Sequence, residues 1–401
     1  MDKHITASLF LSVSLFLSGC GGSGQGDIPA ITPPPQEFTI QEKVFVRNLF
    51  LSEYLWYDQV DTEIDYLSYE TASTLVRALR VDPPDKWSTV ITQQQYEDYV
   101  NQQTAGFGFG YYAESFTIYM VRIDSPAWKK LQRGDRILTI NHKPVTQELL
   151  HEASTALGEE SIFTVAREGQ IVDIPLTPQV YNFKVTDASI IDDNGKRIGY
   201  MRYDSFSNSS ATEIEAAFSY FKSAQIDELV IDLRYNTGGA TTIASILLDN
   251  ITNRYPGQRQ FYLDWNENYK VYNEDYNFED ADDQDGNELS MERVVFLVTK
   301  NSASASELTI SALKPYLGNE NVITVGTATH GKNVGMAGRV YGTNYYFLIN
   351  FFIRNNADET TSFDGIPATC TAEDDLENLR GDPNESMLRT ALFYLKTGSC
   401  P

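Results

Sequence analysis

The chain has 401 residues, of which 42% are apolar and 12% aromatic, with 31 Lys and Arg against 55 Asp and Glu. This length and apolar fraction suit two or three globular domains and exclude disordered and collagen-like chains, which have fewer aromatic residues or more Gly and Pro. The net charge of −24 argues against nucleic acid as a partner, because proteins bind phosphate backbones mainly with Lys and Arg.

An export signal is predicted at the start of the chain. Lys3 and His4 precede an apolar stretch, Ile5 to Leu17, which is too short to cross a hydrocarbon core of ~30 Å comfortably. The stretch ends in Leu17-Ser18-Gly19-Cys20, with small residues directly before the cysteine. This ending resembles the lipobox of bacterial lipoproteins; an ordinary secretory signal followed by a chance cysteine is the alternative.

The lipobox resemblance implies that residues 1–19 are a signal peptide and that Cys20 is acylated. The Gly, Ser, Gln and Pro residues that follow predict a lipid-anchored linker over residues 20–37. The membrane is then a partner through the lipid on Cys20, and the chain is expected in the bacterial cell envelope, facing the periplasm or the exterior.

Cys370 and Cys400 remain once Cys20 carries a lipid. An even pair in a compartment where disulfides persist predicts a bridge between them. Closing that loop would stabilise the carboxyl-terminal segment by roughly 3 to 4 kcal/mol on the chain-entropy model. Two free buried thiols are the alternative.

A small helical N-terminal domain is predicted over residues 38–105. Apolar residues recur there at helical spacing, as in Val46, Leu49 and Phe50. Pro83-Pro84 interrupts the pattern, because proline disfavours helix at its own position and at the residue before it.

Short alternating strands with one helix occupy residues 106–180. The run Gly106-Phe107-Gly108-Phe109-Gly110, a strand from Phe116 to Ile123 and the turn Gly134-Asp135-Arg136-Ile137-Leu138 together resemble a bacterial PDZ domain. The resemblance implies that Gly106, Phe107, Gly108 and Phe109 bind the terminal carboxylate of a peptide, with a helix over residues 146–157 as the far wall. A structural β-domain whose glycines only permit positive φ is the alternative.

Strands and helices alternate in βα order over residues 181–401, which predicts an α/β core with a largely parallel sheet. The predicted strands are Ile198 to Arg202, Glu228 to Leu233, Val294 to Thr299 and Val322 to Gly326, and the predicted helices are Ala211 to Ser223, Ala240 to Ile251 and Ser304 to Leu317.

An acidic insertion interrupts this core between Asp264 and Glu288. Asp283-Gln284-Asp285-Gly286 and Glu292 partly copy a calcium-binding EF-hand loop, but Ala281 stands at the first ligand position. We therefore expect a solvated loop.

Three loops of the core each follow a predicted strand: Asp232 to Gly239, Asn301 to Glu307, and Thr327 to Lys332. The carboxyl ends of parallel strands lie at the same edge of a sheet, where the sites of open α/β folds form. Ser304 and Lys332 are therefore expected to meet.

The same segments resemble the C-terminal processing, or tail-specific, serine proteases. Ser302-Ala303-Ser304-Ala305-Ser306-Glu307 is the serine motif of that family, Thr329-His330-Gly331-Lys332 resembles its lysine motif, and Asp232 to Gly239 resembles its Asp-Leu-Arg…Asn…Gly-Gly segment. The resemblance implies an endopeptidase that forms an acyl-enzyme and acts on proteins or peptides recognised by their C-terminal ends.

The family's site residues carry over by motif. Ser304 is then the nucleophile and Lys332 the general base, and the amide of Gly238 or Gly239 forms an oxyanion hole with that of Ala305. A lysine can accept a proton only when it is neutral, so Lys332 must be buried to lower its pKa from ~10.4 towards neutrality. Neither a metal nor another cofactor is implied, since the histidines include no ligand spacing.

Three alternatives stay open. Ser304 could be a helix cap, and His330 could support a Ser-His pair instead of Ser-Lys. Many family members carry a Gln four residues after the lysine, and Met336 stands there in this chain. Together with a serine-to-lysine spacing longer than is usual in the family, Met336 motivates a catalytically silent lipoprotein that binds peptide C-termini. The oligomeric state is not predicted.

Overall fold

The computed structural model describes residues 37–280 and 286–401. The predicted signal peptide, Cys20, most of the predicted linker, and Asp283 and Asp285 of the acidic insertion lie outside the described residues. Within the described ranges, no helix combines the length and apolar character that a membrane span needs.

Three helices and two short strands form the N-terminal part. Thr39, Thr71 and Thr92 each accept a backbone N–H at the start of a helix, which satisfies a donor that the helix itself leaves unpaired. The elements are α1 (Ile40–Ser52), α2 (Ala72–Leu79), β1 (Thr89–Thr92), α3 (Gln93–Val100) and β2 (Gln103–Gly106), with single-turn 3-10 helices at Tyr57–Gln59 and Tyr66–Ser68.

A second unit is built on a sheet in the order β3-β4-β5-β7-β8, with β6 paired to β5. Its core is separate and contains Phe107, Leu150 and Phe163. The elements are β3 (Phe109–Tyr112), β4 (Thr117–Val121), β5 (Arg136–Ile140), β6 (Lys143–Pro144), α4 (Gln147–Thr155), β7 (Ser161–Arg167) and β8 (Gln170–Leu176). Strand β9 (Gln179–Asn182) pairs with β2, so the chain enters and leaves this unit through a two-stranded ribbon.

The remaining elements form the core that carries the predicted loops. They are β10 (Thr186–Asp193), β11 (Lys196–Tyr203), α5 (Ala211–Ala224), β12 (Glu228–Asp232), α6 (Thr241–Ile251), β13 (Arg259–Trp265), β14 (Glu274–Asn277), β15 (Val294–Val298), α7 (Ala305–Leu317), β16 (Val322–Gly326), β17 (Val334–Tyr341), β18 (Asn344–Asn355), β19 (Cys370–Thr371) and α8 (Ser386–Thr397). Single-turn 3-10 helices occupy Asn208–Ser210 and Lys270–Tyr272.

Six of these strands form the main sheet, in the order β10-β11-β12-β15-β16-β19. Only β10 and β11 pair antiparallel in it, and the other neighbours are parallel. The predicted fold class is confirmed, and each predicted strand and helix of the core lies within two residues of the observed bounds. In the structure Cys370 of β19 and Cys400 after α8 are joined by a disulfide with an S–S distance of 2.05 Å.

A second, antiparallel sheet has the order β1-β18-β13-β14, with β17 also paired to β18. The expectation of a solvated loop from Asp264 to Glu288 is wrong for its first half, because Asp264 lies in β13 and Glu274–Asn277 pairs with β13 as β14. Strand β1 brings the N-terminal part into this sheet, and buried residues of both belong to one hydrophobic core.

Candidate active site

Ser304 stands where the loop after β15 turns into α7. Its backbone has φ 56° and ψ −113°, a left-handed conformation that a residue with a Cβ adopts only under strain. The side chain is 1% exposed, and its Oγ has no hydrogen-bond partner among the described residues. A buried hydroxyl without a partner is costly in a purely structural position. Ser304 is nevertheless the N-cap residue of α7, and the Glu307 side chain accepts its backbone N–H as in a capping box, so a capping role and the predicted role as nucleophile fall on the same residue.

The neighbouring serines have the structural contacts that Ser304 lacks. Ser302 Oγ donates to the carbonyl of Leu233 at 2.7 Å, and Ser306 Oγ donates to the carbonyl of Asn236 at 2.9 Å. These bonds tie the start of α7 to the loop after β12, so both loops hold a fixed position around Ser304.

Lys332 lies just before β17, at the end of the loop that follows β16. It is 1% exposed, and burial lowers its pKa from the usual 10.5 to about 7, against the opposing effects of Asp85 and Glu307. Ser304 and Lys332 line the same narrow cavity, together with Leu308, Ile353 and Thr361. The structure thus brings the two predicted residues to one cavity, and a pKa of about 7 gives a large share of neutral amine at neutral pH.

Glu307 connects the serine helix to the lysine loop. Its carboxylate accepts the backbone N–H of Ser304 at 3.0 Å, of Gly331 at 2.7 Å and of Lys332 at 2.8 Å. It also accepts the hydroxyl of Thr329 at 2.5 Å. One buried side chain therefore sets the spacing of the two loops, and burial raises the pKa of Glu307.

The Gly238-Gly239 turn packs directly against the serine. A Cβ on Gly238 would lie 2.8 Å from Ser304 Cβ and 2.9 Å from the amide nitrogen of Ala305, and the φ of +100° also favours glycine. A Cβ on Gly239 would lie 2.3 Å from the carbonyl oxygen of Phe206. Only glycine fits at either position, which explains the pair of glycines next to Ser304 and Ala305.

The Gly238 amide already has an acceptor in this conformation. It donates to Asn236 Oδ1 at 2.8 Å, while Asn236 Nδ2 donates to the carbonyl of Tyr203 at 3.0 Å. The turn is therefore held by a buried amide side chain, and the Gly238 N–H is directed at that side chain.

A buried ion network supports the same turn from below. Arg234 is fully buried and contacts the carboxylates of Asp232, Asp374 and Glu385. Burial alone would raise the pKa of Asp232, but the guanidinium groups of Arg234 and Arg380 hold it well below its usual range. Arg133 of the second unit contacts Asp374 and the hydroxyl of Tyr235.

The sequence motifs did not predict most of this ion network. Asp232 and Arg234 stand in the Asp-Leu-Arg segment. Nothing local in the sequence pairs Arg234 with Glu385, which lies 151 residues further along the chain. The run of charged residues around Asp374 is the sequence feature that could have indicated an ion network.

The predicted peptide-binding loop lies between β2 and β3. Gly106 has φ +110° and Gly108 has φ +85°, while Phe107 is buried. Phe109 begins β3, which forms an edge of its sheet, and a Cβ on Gly106 would lie 3.8 Å from the carbonyl of Ser154 in α4. The loop, an available strand edge and a helix are therefore neighbours.

His330 does not take the place of the lysine. Trp87 Nε1 donates to His330 Nε2 at 3.3 Å, and His330 Nδ1 lies 3.2 Å from the carbonyl of Lys300. Both ring nitrogens face groups other than Ser304. In residues 37–280 and 286–401 no cluster of His, Cys, Asp or Glu is arranged to hold a metal ion.

A buried serine with a strained backbone at a helix start, in one cavity with a buried lysine of lowered pKa, is the arrangement of serine hydrolases that use an amine as base. Residues 197–355 match peptidase family S41. The matched residues include Ser304, Lys332 and the Gly238-Gly239 turn, and the match agrees with the family predicted from the motifs.

Relatives with related names match parts of the chain. A carboxyl-terminal-processing protease of Picosynechococcus is 29% identical over 217 residues, which are 51% of this chain and 47% of that protein. The carboxy-terminal processing protease CtpB of Bacillus subtilis is 25% identical over 272 residues, 63% of this chain and 51% of that protein. The chain thus spans about half the length of these relatives.

Solved structures share the fold. A crystal structure of a candidate S41 protease from Bacteroides fragilis has a TM-score of 0.73 at 22% identity and covers 88% of this chain and 97% of its own. A photosystem II D1 C-terminal processing protease has a TM-score of 0.51 at 15% identity and covers 82% of this chain and 92% of its own. Both likenesses concern the fold.

Proposed function

We propose that the protein is an envelope-anchored serine endopeptidase that cleaves proteins or peptides recognised by their C-terminal ends. Ser304 is the nucleophile and Lys332 the general base. The observation that carries the proposal is that Ser304, whose backbone is strained, and Lys332, whose pKa is lowered to about 7, line the same cavity.

The reaction begins when Lys332 Nζ accepts the proton of Ser304 Oγ and the oxygen attacks the scissile carbonyl. The C–N bond then breaks, the proton passes to the leaving amine, and an acyl-enzyme remains. Water, deprotonated by the same amine, hydrolyses the ester. A base with a pKa near the working pH suits both directions of proton transfer.

The oxyanion of the tetrahedral intermediate is stabilised by backbone amides at the start of α7. Ala305 is the first residue of that helix, and Gly238 and Gly239 are packed against it. Because the Gly238 amide donates to Asn236 Oδ1 at 2.8 Å, a small turn of the Gly238-Gly239 backbone accompanies substrate binding. Each such donor is worth roughly 3 to 4 kcal/mol of barrier.

Substrate recognition is assigned to the unit with the PDZ-like loop. Gly106, Phe107, Gly108 and Phe109 bind the terminal carboxylate of the substrate, which adds as a strand to the edge β3. A lipid on Cys20 keeps the enzyme at the membrane of the cell envelope.

The test is cleavage of an unfolded substrate by the purified protein and by Ser304→Ala and Lys332→Ala. Both variants are expected to lose at least roughly 1,000-fold in kcat/KM, while Ser290→Ala and Lys300→Ala, at exposed positions, keep wild-type rates. Cleavage that survives both active-site changes would remove the Ser-Lys mechanism. A wild-type protein that binds C-terminal peptides without cleaving them would support the silent lipoprotein.

A further inference from the structure

The segment Asp85 to Ser88 follows α2 and leads into β1. Asp85 is 0% exposed, and its carboxylate accepts three hydrogen bonds. The donors are the backbone N–H groups of Trp87 at 2.8 Å and Ser88 at 2.9 Å and the hydroxyl of Tyr54 at 2.8 Å. The carboxylate is thus held rigidly inside the protein.

This segment contacts the loop from Thr327 to Lys332. Trp87 donates its indole N–H to His330, two residues before Lys332. Ser88 Oγ accepts the backbone N–H of Ile349, and Ile349 is the register partner of Met336 across β17 and β18. The segment therefore contacts the loop that carries Lys332 and the strand that pairs with Met336, the position where the resemblance to C-terminal processing proteases leads one to expect a glutamine.

We propose that Asp85 is the positioning residue of Lys332, in place of the glutamine that Met336 replaces. The inference rests on the proposed function, since it assigns a role in the same site. A carboxylate brought in from the N-terminal part orients the amine towards Ser304.

The two carboxylates near Lys332 are not equivalent. Glu307 accepts four hydrogen bonds, three of them from backbone amides, and a carboxylate offers about four acceptor positions. Asp85 accepts three from the groups named above, so it keeps an acceptor position for the lysine amine. Glu307 spaces the loops, and Asp85 serves the amine.

The charge of Asp85 also fits the chemistry of a proton acceptor. A neutral amine can donate an N–H to Asp85 while its lone pair faces Ser304 Oγ. When the amine takes the serine proton it becomes an ammonium, and the nearby negative charge stabilises it, as the aspartate of a catalytic triad stabilises the imidazolium. Asp85 and Glu307 both raise the pKa of Lys332, against the larger lowering by burial. Burial is also the largest cause of the lowered pKa of His330, and the charges of Lys332 and Lys86 lower it further.

The test measures the titration of the Lys332 amine in the purified full chain labelled with [ε-13C]lysine. The Lys332 resonance is assigned by its absence in Lys332→Met. In Asp85→Asn, which keeps the shape and removes the charge, the midpoint is expected to fall by about one pH unit or more. The acid limb of kcat/KM falls with it, and the plateau drops roughly 100-fold.

Asp82→Asn is the matched control, because Asp82 lies three residues earlier, is half exposed and contacts only Arg80 among the described ion pairs. It should leave both the midpoint and the rate unchanged. If Asp85→Asn does not fold, Tyr54→Phe replaces it. Loss of the tyrosine donor leaves one fewer hydrogen bond to stabilise the Asp85 carboxylate, so the carboxylate interacts more strongly with the Lys332 ammonium and the midpoint rises.

The outcomes separate the two ideas. A midpoint that moves in a protein that cleaves nothing keeps the Asp85 contact but overturns the proposed function. A plateau that falls while the Lys332 midpoint stays at its wild-type value overturns the positioning role, because a merely structural residue would act that way. A midpoint that moves with the acid limb supports both.

Discussion

The parallel and antiparallel sheets reach the active site by different routes. Ser304 and Lys332 follow the neighbouring parallel strands β15 and β16, so chain order alone brings them to the same edge. The antiparallel sheet supplies Ile353 from β18 and, through β1, carries the segment with Asp85. The contact between Trp87 and His330 joins residues 243 positions apart.

The positions of the reactive groups and the protonation state of the lysine therefore have separate origins. The parallel sheet places the hydroxyl and the amine, which are local consequences of strand-loop-helix order. The antiparallel sheet contributes Ile353 to the wall around the amine, and burial is the largest cause of its lowered pKa. The predictions below test whether these two contributions can be disturbed independently.

Outside Ser304 and Lys332 themselves, the largest effect is expected from Glu307→Gln, which disturbs the parallel-sheet side. An amide has one oxygen, so its NH2 group would face backbone N–H donors that now bind the carboxylate. We expect a loss of about 100-fold in kcat/KM, because misplacement of reacting groups by about 1 Å can cost that much, and a loss of about 5 kcal/mol in the free energy of unfolding.

Substrate cleavage and urea unfolding measure these two quantities. Glu320→Gln, at an exposed position after the same helix, is the control and should change neither. Wild-type kcat/KM in Glu307→Gln would contradict the assignment of Glu307 as the group that spaces the two loops.

Glu42→Ala disturbs the antiparallel side alone. Glu42 of α1 is buried and accepts the Tyr346 hydroxyl at 2.6 Å and the Asn344 side-chain N–H at 2.8 Å, both from β18. Its removal leaves two donors unpaired and a cavity, at a cost of about 4 kcal/mol in the free energy of unfolding.

The kinetic signature of Glu42→Ala differs from that of Glu307→Gln. When the N-terminal part loosens, water reaches Lys332. Because hydration weakens the effect of burial, the lysine pKa rises from about 7 towards 10.5. The acid limb of kcat/KM should therefore move to higher pH. Glu63→Ala, at an exposed position of the same part, should leave the profile in place, and a profile that also stays in place in Glu42→Ala would argue against burial by the N-terminal part.

Replacing Cys370 and Cys400 by Ser tests the far side of the parallel sheet. The disulfide closes a loop with a sequence separation of 30 residues, and its loss should cost roughly 3 to 4 kcal/mol on the chain-entropy model. The bridge joins β19 to the end of α8 and does not contact Ser304. Thermal unfolding should shift while kcat/KM stays near wild type, and a large loss of kcat/KM would show that α8 supports the site.

The parallel sheet was predictable because its strands carry a strong local signal. Val322–Gly326 and Glu228–Asp232 are buried along their whole length, and such strands appear in the sequence as apolar runs bounded by turn residues. The motifs around Ser304, Lys332 and Gly238 stand at the ends of these runs, so the main members of the site could be named from the sequence.

The antiparallel sheet was not predictable from local patterns. Strand β14 is an exposed edge with acidic residues, which favour a loop on composition. Strand β1 pairs with β18 although Thr89 and Phe347 are far apart in the sequence. For the same reason the contacts of Trp87 with His330 and of Arg133 with Tyr235 could not be predicted: each joins residues more than 100 positions apart, and no local spacing encodes such a contact.

The smallest effect is expected from Arg254→Ala, which removes an ion pair with Glu292 at the surface. The side chains are 41% and 75% exposed, so water screens the pair and its loss should change the free energy of unfolding by less than about 0.5 kcal/mol. Neither sheet depends on this contact, because both residues lie outside the strands. Urea unfolding and the pH profile of kcat/KM should both match wild type. A shift of the acid limb in Arg254→Ala would mean that long-range charge, rather than burial by the antiparallel sheet, controls the state of Lys332.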